Sequence, residues 1–142
     1  MNEMNRRRLT FALLDKEKGI AGLPPATGEE YPLPAWYRSV REIPLEELGV
    51  EDICKACRQQ IHPEYVVPIV LRLLQSEPLA GEMYDGELLV SLKSIPPNYW
   101  SKHPDEAQVL KSVVEQALQI RTTTNDLRQD AEELLRRAVS HR

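Results

Sequence analysis

The stretch Tyr65-Val66-Val67-Pro68-Ile69-Val70-Leu71-Arg72-Leu73-Leu74-Gln75 decides the fold. Apolar side chains occupy most of its circumference at helical period, so it reads as a helix buried on a wide face, central to the molecule. Pro68 fits within a first turn, where a missing N–H is harmless, or at a kink, which puts the helix start near residue 65. His62-Pro63 breaks the chain before this helix and Pro78 closes it.

Outward from this segment the chain is helical on both sides. Val50, Ile53, Cys54, Cys57 and Ile61 recur at helical spacing with charged residues opposite, and Pro44 to Leu48 makes a short turn before them. Downstream, Gly81 and Gly86 mark a connection. Asp85 is placed to cap a helix running towards Ser94, with Pro96-Pro97 ending it. His103-Pro104-Asp105-Glu106 is a strong start signal, followed by Ala107, Leu110, Val114, Ala117 and Leu118 on one stripe. Thr122-Thr123-Thr124-Asn125 interrupts, and Leu127, Ala131, Leu134, Leu135, Ala138 and Val139 form the stripe of a last helix. There is no internal repeat, and Leu9 to Leu14 is the one stretch with strand-like character. The expectation is an all-α, compact single-domain bundle of about five to seven helices.

Residues 19–44 are rich in Gly and Pro: Gly19, Gly22, Pro24, Pro25, Gly28, Pro32, Pro34 and Pro44. Such a stretch does not sustain a long helix or a central strand, so an extended segment is expected, anchored by Trp36 and Tyr37. Residues 1–30 then form a loosely attached N-terminal segment, and residues 31–142 the helical domain. Arg6-Arg7-Arg8 before Leu9 to Leu14 imitates the start of a signal peptide. The apolar patch is too short, however, and Asp15-Lys16 ends it without a small-residue cleavage site. A cytoplasmic protein is the expectation.

The chain of 142 residues suffices for one domain with a real core, and with one Phe, two Trp and five Tyr that core must be aliphatic. No apolar run reaches the roughly 20 residues that cross a bilayer. The net charge of −4 is unevenly distributed: residues 21–100 hold six basic and twelve acidic side chains, whereas residues 101–142 hold seven of each. Nucleic-acid binding calls for the opposite sign, so no nucleic acid and no membrane are expected as partners. An acidic middle suits a basic protein partner, or simply solubility.

Catalytic chemistry finds little footing. Cys54 and Cys57 share a helix face, but a structural zinc needs four ligands, and His62, His103 and His141 are isolated. Two buried cysteines packing as small apolar groups account for the pair. No phosphate loop, nucleophile elbow or metal-binding His pair is present, so no enzyme activity, metal or cofactor is expected. Acidic pairs such as Glu46-Glu47, Glu51-Asp52 and Glu132-Glu133 suit solvated helix faces. Tyr84-Asp85-Gly86-Glu87-Leu88 and Tyr99-Trp100 are more telling, since aromatics among carboxylates at element ends are common interface anchors. Trp100 and Leu88 read as core.

One ordered set of elements is recognisable. Trp36-Tyr37-Arg38 is followed by Pro44-Leu45, Val50-Glu51-Asp52-Ile53 and Cys57-Arg58-Gln59-Gln60-Ile61. Tyr65-Val66-Val67-Pro68, Glu77-Pro78-Leu79-Ala80-Gly81-Glu82-Met83-Tyr84-Asp85-Gly86-Glu87-Leu88-Leu89 and Ile95-Pro96-Pro97-Asn98-Tyr99-Trp100 come next, ahead of His103-Pro104. In the order and spacing of these elements the chain resembles immunity proteins of bacterial contact-dependent growth inhibition (CDI) systems. The resemblance implies a cytoplasmic protein that binds and blocks a toxin C-terminal domain, often a nuclease, delivered by a neighbouring cell.

On that resemblance Trp36, Asp52, Arg58, Gln59, Pro68, Asp85, Gly86 and Trp100 belong to the signature of the fold. Arg58 and Gln59 are expected in a buried polar network with Asp52 or Asp85. The toxin would be basic, and Glu46, Glu47, Glu51, Glu64, Glu82, Tyr84, Glu87 and Tyr99 are the candidate contacts. Protection demands nanomolar affinity or better, about −12 kcal/mol. A helical adaptor or regulatory module with another protein partner is the alternative.

Overall fold

Thr10 opens the first helix by accepting the Leu13 N–H on its hydroxyl at 3.1 Å. A capping hydroxyl ahead of an apolar run favours a helix over a strand, and the Leu9 to Leu14 stretch accordingly leads into α1, Phe11–Glu17. The computed structural model describes residues 9–20 and 32–139. The basic start and the segment from Gly22 to Gly28 lie outside them. The chain divides into two compact units, Met1–Gly49 and Val50–Arg142.

In the first unit α2 spans Pro32–Val40, and a short 3-10 turn follows at Leu45–Glu47. The segment carrying Trp36 and Tyr37 is therefore helical where an extended one was expected. Pro32 and Pro34 fall in the first turn, whose N–H groups have no partner within the helix, so neither proline opposes it. Phe11 and Tyr37 stack with ring centroids 5.6 Å apart, and the Tyr37 hydroxyl donates to buried Asp15 at 2.7 Å. Burial, then the bond to Asp15, pushes the Tyr37 pKa up, so the phenol stays a donor. Backbone bonds from Ala12 to Arg41 and from Leu45 to Leu9, both 2.8 Å, close the unit.

The second unit holds α3, Val50–Arg58; α4, Pro63–Ser76; and α5, Glu87–Ser91, which continues as a 3-10 turn to Ser94. It continues with α6, Pro97–Lys102; α7, Pro104–Gln119; and α8, Asn125–Val139. That makes eight α-helices and no strand among the described residues. The core is aliphatic as expected: Ile53, Val66, Val67, Val70, Leu74, Leu88, Leu89, Leu110 and Val114 are buried, with Trp100 the large aromatic among them. Central α4 packs on α3, α5 and α7, while α8 packs on α5, α6 and α7.

Proline sets the helix starts. Pro63, Pro97 and Pro104 each stand at the first helical position. His62 takes the left-handed conformation at φ 42°, which turns the chain into α4 two residues earlier than the apolar pattern suggests. Pro68 is consequently the sixth residue of α4, beyond the first turn. It is exposed, as is Glu64, whose carbonyl it deprives of a helical donor. Pro97, expected only to end a helix, also begins the six-residue α6. Thr124 caps α8 by accepting the Leu127 N–H at 3.1 Å, and Thr123 donates to the Ala117 carbonyl at 2.7 Å.

Candidate functional site

Between α4 and α5 the chain makes a tight loop, and two glycines permit it. A Cβ on Gly81 would collide with the Tyr84 carbonyl and stand 2.8 Å from the Glu87 Cβ. Gly86 sits at φ +89°, where its missing side chain also leaves room for Leu127. Backbone bonds from Gly86 to Leu79 (2.9 Å) and from Leu88 to Ala80 (3.0 Å) tie the two ends together.

Glu87 fastens the loop from within. It is 2 % exposed, and its Oε1 accepts the N–H groups of both Glu82 and Met83 at 2.9 Å. Its Oε2 lies 3.4 Å from Nη1 of Arg58, whose Nη2 bonds Glu51 Oε1 at 3.1 Å. Burial alone would raise the Glu87 pKa. The Met83 N–H, Glu51, the Glu82 N–H and Arg58 together outweigh burial and hold it below the usual carboxylate range. Glu51 moves the other way, raised by burial and then by the neighbouring Glu87 carboxylate, against the pull of Arg58. Glu87 is thus the ionised member of a neighbouring carboxyl pair, and Glu51 the member that holds a proton more readily.

The expected Arg58–Gln59 network with Asp52 or Asp85 is replaced by this one. Glu51 lies seven residues before Arg58, two helical turns, and so shares its face of α3. Gln59 is exposed. Asp85 is exposed too and does not cap α5, because Gly86 stands between it and the helix. The sequence pattern could not separate Asp85 from Glu87; the signal was the tight Gly81–Gly86 spacing, which forces the first carboxylate of α5 back under the loop.

Of the candidate contacts, Glu46 and Glu47 are exposed in the first unit, and Glu64, Glu82 and Tyr84 in the second. Glu51 is half-buried. Glu87 and Tyr99 point inward. Tyr99 donates to Glu106 at 2.8 Å and stacks on His103 at 4.0 Å; burial, then Glu106, pushes its pKa up. Both belong to the scaffold in the free chain. Of the signature positions, Trp100 and Gly86 are buried and Trp36 is half-buried.

Met83 went unnoticed in the sequence, although its position beside Tyr84 in a turn of glycines and acids was a usable signal. At 74 % and 52 % exposure, Met83 and Tyr84 are the most exposed large apolar side chains among the described residues. They ride on a loop whose backbone is pinned by a buried ionised carboxylate. Such an arrangement presents an apolar contact on a braced backbone.

Cys54 and Cys57 are free and buried, and burial pushes both thiols up to about 12, the opposite of an activated nucleophile. Among the described residues, no group of three or more His, Cys, Asp or Glu is placed to hold a metal. No helix there is long and apolar enough to cross a membrane.

No curated protein matches the sequence. Residues 21–110 match the family model described as CDI immunity proteins. The matched stretch runs from ahead of α2 into α7 and includes Trp36, Arg58, the Gly81–Gly86 loop and Trp100. It covers more than half of the chain and takes in the ordered set of elements from Trp36 to Pro104, and the chain belongs to the family of CDI immunity proteins.

Proposed function

We propose that this immunity protein acts in the bacterial cytoplasm by binding one toxin C-terminal domain one-to-one and blocking it, without catalysis of its own. The family match over residues 21–110 carries this reading. The charge distribution supports the finer part of it. Residues 21–100 hold twice as many acidic as basic side chains, and Glu46, Glu47, Glu64, Glu82 and Asp85 are exposed. A nuclease toxin has to hold phosphates and therefore carries a basic active site. An acidic surface steers such a partner in and can occupy its site.

The test is co-expression. The toxin domain encoded immediately upstream is induced in bacteria with and without this chain. Survival only with the chain, and an equimolar complex on purification, are the expected results. Equal killing in both cultures, or no complex, overturns the proposal.

A further inference from the structure

Beside the loop is a cavity of about 340 Å³. Val90 and Leu127 give its lining an apolar part, Tyr84 an aromatic one, and Asp85, Asp126 and Asp130 three carboxylates. Among the described residues Lys93 bonds Asp130 at 2.8 Å, but it also bonds Glu133 at 2.7 Å. Neither Asp85 nor Asp126 has an ion-pair or side-chain hydrogen-bond partner among the described residues. Burial first, then the charge of Glu87 with Asp130 adding to it, raises the Tyr84 pKa against the pull of Arg58, so the phenol stays neutral in this lining.

Two independent features converge here. One is a concave space with an apolar lining and excess negative charge. The other is the adjoining pair Met83 and Tyr84, whose side chains stand exposed on a backbone braced by the bonds of the Glu82 and Met83 N–H groups to Glu87. A backbone braced before binding loses little further entropy on association, and aromatic and apolar side chains carried on such a backbone are where interface energy concentrates. A guanidinium fits the chemistry of the cavity, because its plane can lie flat on an aromatic face while its fork donates to carboxylates on either side, a more directional match than a compact ammonium makes.

We propose that this loop and cavity form the energetic centre of the toxin interface, with Met83 and Tyr84 as apolar anchors and the cavity taking an arginine side chain of the toxin between Tyr84, Asp85 and Asp126. The proposal rests on the toxin-binding reading above. It adds that α8, which lies outside the family match, supplies Asp126, Leu127 and Asp130 and so takes part in choosing the partner.

The experiment measures binding of the purified toxin domain to the full chain and to three variants. Asp85→Asn/Asp126→Asn removes charge without changing shape, Tyr84→Ala removes the stacking face, and Glu115→Gln alters an exposed carboxylate outside the cavity. Melting curves of each free variant confirm folding. Tyr84→Ala and the double Asn variant are expected to weaken binding about 100-fold each, mostly through faster dissociation, with Glu115→Gln unchanged. One Arg→Ala substitution in the toxin should then be non-additive with the double Asn variant by about tenfold or more. If wild type binds and both cavity variants bind equally well, this inference falls while the immunity reading stands. If no toxin arginine couples to the cavity, and a lysine or an apolar residue does, the arginine assignment falls. If wild type itself does not bind, both fall.

Discussion

Arg58 lies 3.4 Å from Glu87 across 29 residues of chain, joining the last turn of α3 to the first turn of α5. The carboxylate is buried and the guanidinium is partly open to water, so the pair is anchored at one end and solvated at the other. Beyond Arg58, the carboxylate answers two loop N–H groups that have no other acceptor shown. Glu87→Ala should therefore destabilise the chain by about 3 kcal/mol, since it strands those donors and removes a buried charge partner. Glu87→Gln, which keeps one carbonyl oxygen, should lose clearly less. Urea unfolding of the three chains measures the order.

The carboxyl pair gives stability opposite pH dependences. Glu87 has a lowered folded pKa, so its contribution is present above the ordinary value of 4.5 and fades as pH falls through the folded value. Glu51 has a raised folded pKa, so its contribution is present at lower pH and is lost as pH climbs from 4.5 through its folded value. Glu51→Gln removes the second effect and can donate an amide N–H to Glu87. Its stability relative to wild type should rise with pH across that window, and the variant should be no less stable at neutrality. A falling difference would contradict the pairing.

Gly86→Ala should destabilise the fold by about 1–3 kcal/mol, because φ +89° strains an L side chain and the added methyl meets Leu127. Combined with Leu127→Ala, the loss should be less than the sum of the two, since the collision disappears and only backbone strain remains. Thermal melts of the single and double variants give the comparison.

Both cysteines should resist alkylation in the folded chain and react together once it is unfolded. Burial explains this, along with thiols pushed to about 12. Mass spectrometry after iodoacetamide, with and without urea, reads the result directly. Rapid modification of either thiol in buffer would show that α3 opens.

Reversing Glu46, Glu47 and Glu64 to lysine should slow toxin association by about tenfold and flatten its dependence on salt, with little change in dissociation. Stopped-flow mixing at several ionic strengths separates the rates. Unchanged association would remove these exposed acids from the steering role.

The sequence made some parts of this architecture plain and hid others, for physical reasons. Pro104 marks a helix start because its geometry suits the first turn, and the stripes through Leu74 and Leu134 mark faces that must be buried. Pro32 and Pro34 misled for the same reason: a proline permits a helix or stops one according to its place in the turn. Only six residues long, α6 is too short for a period to show. Asp126 and Asp130 stood four apart on one helix face, a legible pattern. Their nearness to Tyr84 depended on how α8 packs, which local spacing does not encode. Glu87 looked like surface because a carboxylate between a glycine and two leucines gives no local sign of the two N–H groups awaiting it.

The seating of α8 on α5, α6 and α7 bears on where this protein may be cut. Leu127, Ala131, Leu134 and Ala138 are all buried, yet the family match stops at residue 110. A fragment trimmed to the matched stretch would leave the faces of α5 and α6 that α8 covers as an open greasy seam, and aggregation rather than folding would be its fate.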